Sequence, residues 1–341
     1  MKIKQGMKKS FGIFIISLIF IVGFLSGVSA TISSITVTSP NGGEFWNGAK
    51  NIQWTAIGCN PSTDYVNIQY STGGAFTTFV TRSCSPSSYD WDTIARSMSD
   101  GATYQIRIFS DNDFLIQGIS NNVFTIDNTK PTSSANNNLG TYKNTATFNI
   151  GYTLSDGTGS GVNYVELYYN KNNVGWTKYG TTFTSSPISF NSATTGGDGN
   201  YEFYTRATDM AENVENAPGS ADATTTIDIV KPTTSDDYEA NNGNWQQGDQ
   251  TITLTPTDAT SGILSTKYCT SAIDCTPNID GNSKTISTIG TSYFRYQSID
   301  NAGNIQDVVT RTVMIDKTDP IVTIDAVTSP TATNTQTITG T

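Results

Sequence analysis

Ile126-Asp127-Asn128-Thr129-Lys130-Pro131, Ile227-Asp228-Ile229-Val230-Lys231-Pro232 and Ile315-Asp316-Lys317-Thr318-Asp319-Pro320 are one junction written three times. Each time an Ile-Asp pair closes an alternating, Thr-rich run, and after three further residues a proline follows. Proline has no N–H to give a ladder and a fixed φ, so it suits the point where a sheet stops and a stiff connector starts. The prolines stand 101 and 88 residues apart, about the length of one small β-sandwich domain. The chain reads as beads joined by short connectors, and no stretch of it names a reaction.

Residues 1–30 read as a targeting segment. Lys2, Lys4, Lys8 and Lys9 form a basic head, an apolar run covers 11–25, and Val28-Ser29-Ala30 places small residues before a cleavage point. The run is short of the roughly 20 residues that a bilayer span needs, so a signal peptide cleaved after Ala30 is expected rather than an anchor. Removing it takes the formal charge from −10 to −14, because the segment holds those four lysines and no acid. An acidic chain with scattered Lys and Arg has no footprint for nucleic acid. Membrane attachment is expected only through this segment or through a C-terminal anchor beyond residue 341.

Four cysteines in an exported chain suggest disulfides. Three pairings are possible, and locality favours Cys59–Cys84 and Cys269–Cys275. The C-x5-C spacing of the second pair also fits half a metal site, but no other cysteine pair lies nearby and the chain contains no histidine.

The first bead, 31–128, is strand and turn throughout. Strands are expected at 50–56, 64–71, 75–82, 103–110 and 122–127, where β-branched and aromatic residues gather between Gly, Asn, Pro and Ser. Val66, Ile68 and Tyr70 alternate with Tyr65, Asn67 and Gln69, the period of a half-buried strand. Ser39-Pro40-Asn41-Gly42-Gly43-Glu44-Phe45-Trp46, Ile52-Gln53-Trp54-Thr55, Tyr89-Asp90-Trp91 and Phe124-Thr125-Ile126 together resemble the Ser/Thr-rich GPI-anchored cell-wall protein domain. That is the N-terminal domain of the yeast cell-wall β-glucan synthesis family. The resemblance covers about 34–127 and implies an immunoglobulin-like sandwich at a cell surface, with no catalytic residue.

The second and third beads, 131–230 and 232–319, parallel each other. Phe203-Tyr204-Thr205-Arg206-Ala207-Thr208-Asp209-Met210-Ala211-Glu212-Asn213 matches Phe294-Arg295-Tyr296-Gln297-Ser298-Ile299-Asp300-Asn301-Ala302-Gly303-Asn304. Asp156 to Val162 likewise matches Asp258 to Ile263. These motifs resemble the bacterial Ig-like and fibronectin-III-like repeats of surface proteins, a resemblance that implies the fold and is silent on ligand. Tyr201 stands where a tyrosine corner would, whereas the third bead has Ser292 there. Residues 320–341 read as the start of a fourth, incomplete bead.

Without histidine the Ser-His-Asp and Cys-His systems and histidine-ligated metals are excluded. No phosphate-cradling or dinucleotide fingerprint is present, so no enzyme is expected. The acids do cluster. In such a sandwich the two loops at the entry end lie beside the preceding linker. Asp127, Asp156 and Asp209, with Glu212, are expected to converge at the first junction, and Asp228, Asp258 and Asp300 at the second. Calcium takes six to eight oxygens, chiefly from carboxylates and carbonyls, and such clusters supply them. The plainer reading is that Asp, Asn and Gly serve tight turns. Trp54 and Trp91 sit in strand patterns and read as core. Trp46, Trp176 and Trp245 lie in turn-rich segments, available either for packing under loops or for stacking on sugar rings or a partner.

The expectation is an all-β chain of tandem immunoglobulin-like β-sandwich domains, secreted or held at a cell surface. Its expected role is that of a non-enzymatic adhesion or structural stalk presenting or meeting a surface protein or polysaccharide. The alternative is an array of glycan-binding modules, the accessory part of a larger secreted hydrolase. Clustered exposed Trp and Tyr rings would favour the array, and dispersed rings the stalk.

Overall fold

In the computed structural model, the chain is described from residue 31 to residue 324. Residues 1–30, expected to be a signal peptide, lie outside the described residues, as does most of 320–341, expected to begin a fourth bead. Contacts divide the chain into two units. One holds residues 31–43, Asn51–Trp91 and Thr103–Val123; the other holds Glu44–Lys50, Asp92–Ala102 and residues 124–324.

The first unit is built from antiparallel strands. Ser34–Ser39 pairs with Ala49–Ile57, and Tyr65–Ser71 lies between Thr77–Ser83 and Gly101–Ser110, with Gln117–Ile119 on the far side of the last. Ile35, Val37, Ile52, Trp54, Val66, Ile68, Trp91, Ile106 and Ile108 fill the interior. Trp91 stacks on Phe79 at 5.0 Å, so the two strand-pattern tryptophans are core, as read. The strand at 65–71 is central and buried on both faces, not half-buried. Its outer-face amides are enclosed in a polar network: Asn67 donates to Asp111 and accepts from Thr81, while Gln69 donates to Thr78 and accepts from Arg107 Nε. A hydrogen-bonded amide tolerates such burial where an unpaired one would not. The Cys59–Cys84 disulfide closes this unit, and Cys269–Cys275 closes a short loop in the other.

The second unit contains two sandwiches with separate cores. The first gathers Ile150, Val165, Leu167, Ile188, Phe190, Tyr201, Phe203 and Ile227. The second gathers Tyr238, Ile252, Leu254, Phe294, Tyr296, Val313 and Ile315. The larger sheet of each has five strands in matching order. One runs Tyr142–Lys143, Ala223–Ile227, Gly199–Asp209, Val162–Lys171, Trp176–Phe183; the other runs Trp245–Gln246, Val309–Ile315, Gly290–Asp300, Ile263–Ser271, Ile279–Asp280. Tyr201 is buried and donates its hydroxyl to Gly197 O at 2.7 Å, a tyrosine corner, whereas Ser292 has no ring to do so.

One detail recurs at each junction. A two-residue strand runs parallel to the strand that ends in Ile-Asp: Phe45–Trp46 beside Phe124–Ile126, Tyr142–Lys143 beside Ala223–Ile227, and Trp245–Gln246 beside Val309–Ile315. The isoleucine is wholly buried each time. The aspartate N–H then bonds the carbonyl of Trp46, Lys143 or Gln246 at 2.8–2.9 Å. Trp46 is therefore buried against Phe124, at 5.0 Å, and is not free to stack on a ligand.

Candidate metal centres

Strand period places the junction aspartate. With Ile126 and Ile227 pointing into the cores, the next side chain turns the opposite way, toward the following bead. Asp127 and Asp228 are nonetheless fully buried there. The first accepts from Ser160 N at 2.6 Å and the second from Ser261 N at 3.0 Å, so each reaches the loop that opens at Asp156 or Asp258. Each also folds its own connector, accepting from the N–H two residues on, Thr129 or Val230. In the chain's third copy, Asp316 takes the same bond from Thr318.

The third carboxylate comes from a strand end. Asp209 and Asp300 close the long strands Gly199–Asp209 and Gly290–Asp300, and both are fully buried. Both accept from the N–H and the side-chain amide of the asparagine four residues on, at 2.8 Å in every case. That asparagine donates back to the junction: Asn213 to Asp127 O and Asn304 to Asp228 O. It is the pin between linker and loop. The sequence reading missed it, although the shared Asp-x-Ala-x-Asn pattern was the signal for it.

Three acids meet in each place. One ligand oxygen each from Asp127, Asp156 and Asp209 lies within 4.8 Å of the others, and the same holds for Asp228, Asp258 and Asp300. Glu212 is not among them. It sits exposed with φ of 72°, in the left-handed position where the third bead has Gly303. Its backbone makes the turn and its side chain points away, so its expected place in the cluster is corrected. Asp100, which the sequence reading did not single out, borders the first cluster and holds the connector through Asn128 N and Thr129 Oγ1.

The electrostatics are those of an unbalanced charge. Burial pushes the Asp156 carboxyl up, and the charges of Asp127, Asp209 and Asp100 push it further. Burial likewise raises Asp209, with Asp127 adding to it, and raises Asp228, with Asp258 adding to it. The connector lysines are engaged elsewhere, Lys130 with Asn216 and Lys231 with Asp307. Asp156 Oδ1 is buried without a hydrogen-bond partner among the described residues.

A donor set of carboxylates alone is hard and suits Ca²⁺ or Mg²⁺ over thiophilic or imidazole-seeking ions. Three converging carboxylates suit calcium, which takes six to eight oxygens in a flexible shell, better than magnesium, which keeps several waters and takes one or two carboxylates. The residues present therefore fit a calcium ion at each junction, and the partnerless Asp156 oxygen is the atom that most needs one.

No family model matches the chain, so the resemblance of the first bead to the yeast cell-wall domain has no support. No curated protein matches it either. Among solved structures it is similar to an adhesin of an Antarctic bacterium described as Ca²⁺-stabilised and ice-binding, at 16% identity and a TM-score of 0.35, covering 88% of this chain and 78% of that one. It is also similar to three N-terminal domains of the highly immunogenic outer capsid protein of bacteriophage RB49, at 12% identity and 0.35, covering 84% and 99%. A third similarity is to the fibronectin(III)-like modules of Clostridium thermocellum CbhA, at 12% and 0.26, covering 54% and 94%. These are modules of the kind that the second and third beads resemble. At such scores they carry nothing about function.

Proposed function

We propose that this chain is a non-enzymatic stalk or adhesion-type repeat protein of the cell surface or secreted space, whose bead junctions are locked by calcium. The observation that carries the reading is the repetition of one construction at two successive junctions. The same three aspartates, the same pinning asparagine and the same serine N–H bond to the linker carboxylate occur at both. A turn needs one capping carboxylate; it does not need three from the linker and two separate loops. At contact distance each like-charged pair repels by roughly 1 kcal/mol in water and more when desolvated. A divalent cation reverses that sign and ties linker, loop and strand end into one body. Two disulfides suit an oxidising compartment, and no helix among the described residues is long and apolar enough to cross a membrane.

The experiment is small-angle scattering and thermal melting of the chain in millimolar calcium and in chelator. Calcium should lengthen and stiffen the particle and raise Tm, since it binds only the folded, aligned state. Asp209→Asn combined with Asp300→Asn should abolish both effects. If calcium changes neither length nor Tm in the wild type, the acids are turn residues and the junction is a proline hinge.

A further inference from the structure

The outer face of the second bead's five-stranded sheet is neither core nor plain solvated strand. Tyr201, Phe203 and Ala207 point into the core, so Asn200, Glu202, Tyr204 and Arg206 point out; on the neighbouring strand Glu166, Tyr168 and Asn170 do the same. Register sets Tyr168 opposite Tyr204, and their rings stack at 4.8 Å with 10° between planes. From the edge strand Trp176 meets the Tyr204 ring at 4.5 Å and 67°. Tyr204 is 6% exposed and Trp176 41%, so one ring serves as the seat and the other as the presented surface. An exposed indole fixed in this way loses little freedom when something docks on it.

Beside the rings lies a shallow groove of about 510 Å³, whose walls include Asn137, Thr141, Asn200, Glu202, Thr224 and Thr226. Glu202 belongs to both parts: it lines the groove and accepts from Asn170, whose register partner on the edge strand is Trp176. Two of the charges on the face pair with each other, and Arg206 is tied to a backbone carbonyl. Glu166 holds Lys178 at 2.5 Å and accepts from the Tyr168 hydroxyl, and Arg206 donates to Glu215 O.

We infer that this face binds a neutral polysaccharide, with Trp176 stacking on the apolar face of a sugar ring and the Thr–Asn groove taking hydroxyls of neighbouring rings. An apolar protein partner would ask for a contiguous charge-free apolar centre, and here amides, hydroxyls and an ion pair surround the rings. An anionic polymer would meet Glu202 on a chain of formal charge −10. Five strands at about 4.8 Å spacing give a face roughly 19 Å across, room for a run of several sugar rings. The inference does not depend on calcium at the junctions, and it concerns one face of one bead rather than an array.

The test is tryptophan fluorescence of the full chain titrated with neutral hexasaccharides of β-1,4-glucose, β-1,3-glucose and β-1,4-mannose, in calcium and again in chelator. At least one should shift the emission saturably. Measured by calorimetry, since the substitution removes the reporting indole, Trp176→Ala should weaken that binding at least about tenfold, the scale of one lost ring contact. Asn200→Ala, which leaves the rings in place, should weaken it less, and Trp245→Ala should leave it unchanged. The proposal is overturned if no hexasaccharide shifts the emission, or if Trp245→Ala weakens binding as much as Trp176→Ala. It is overturned as well by self-association of the wild type that Trp176→Ala abolishes, which would make the face a contact between copies of this chain.

Discussion

The two junctions hold the same three carboxylates and satisfy them differently. At the second, Asp258 accepts from three successive N–H groups, Thr260, Ser261 and Gly262. At the first, Asp156 accepts, among the described residues, from Gly161 N through one oxygen, and its other oxygen has no partner there. The first also has Asp100 beside it, and Gly159 pressed between the acids: a Cβ there would come within 2.7 Å of both Asp127 Oδ2 and Asp156 Oδ2. The second loop is one residue shorter and has Thr260 next to its serine. A loop that supplies its own donors neutralises part of the charge and asks less of a cation. The first junction should therefore depend on calcium more strongly than the second.

The sharpest way to break this comparison is Gly159→Ala. The new methyl has no room beside the two carboxylate oxygens, and overpacking of this kind costs about 1–3 kcal/mol. Calcium titration by calorimetry should lose its tighter phase in this variant, whereas Thr260→Ala should keep both phases. Equal loss in both variants would mean that the junctions are equivalent.

Next in size is the pH dependence without metal. Asp156, Asp209 and Asp228 carry folded pKa values above their unfolded ones, so the folded state holds more protons than the unfolded state. Their contribution favours folding at low pH and is lost as pH rises from about 4, the ordinary carboxylate value, through the raised values. In chelator, Asp156→Asn should raise Tm at pH 7.5 relative to wild type, and the gain should shrink toward pH 4. Asp258→Asn should gain less, because it also removes a carboxylate with three N–H partners. In calcium both substitutions should turn destabilising.

Smaller effects belong to the pins. Asn213→Ala removes donors to Asp209 and to the Asp127 carbonyl, and the acceptor for Asn47 at 3.0 Å, from a buried position. Chemical denaturation should register a loss of about 1–3 kcal/mol, since buried acceptors are left unmet. Asn304→Ala, in a half-buried setting, should lose less. Least of all should come from Lys231→Met. Its ion pair with Asp307 is surface-exposed and should shift stability by no more than a few tenths of a kcal/mol.

Much of this was legible before the fold was in hand, and the limits have physical causes. The triple Ile-Asp junction and the paired Asp-x-Ala-x-Asn segments stood in the sequence, because both rest on strand period and a fixed turn. Glu212 was misplaced because acid type is visible in a sequence and φ is not. At 72° its backbone does what Gly303 does, and the residue is exposed. Asn213 was passed over because an amide reads as turn chemistry until its two acceptors are known. The strand Ser34–Ser39 escaped the strand list, and the choice for Trp46 between packing and stacking stayed open because a two-residue parallel strand leaves no periodic trace. Burial of Asn67 and Gln69 depended on partners far off in sequence, Asp111 and Arg107.

The two-residue parallel strands also bear on how such a chain carries load. In the second bead, Tyr142–Lys143 comes early in the chain and Ala223–Ile227 late, and the two lie side by side and run in the same direction. A pull applied at Pro131 and at Val230 drags these strands past each other along their length. The bonds between them, Thr226 N to Thr141 O and Asp228 N to Lys143 O among them, are then strained together, not opened one after another as in a zipper. Rupture under force is governed by the unfolding rate, and a transition state that breaks several bonds at once is reached slowly. The aspartate that faces the junction is itself the last residue of this clamp, so whatever fastens Asp228 to the next bead also holds the clamp shut under tension.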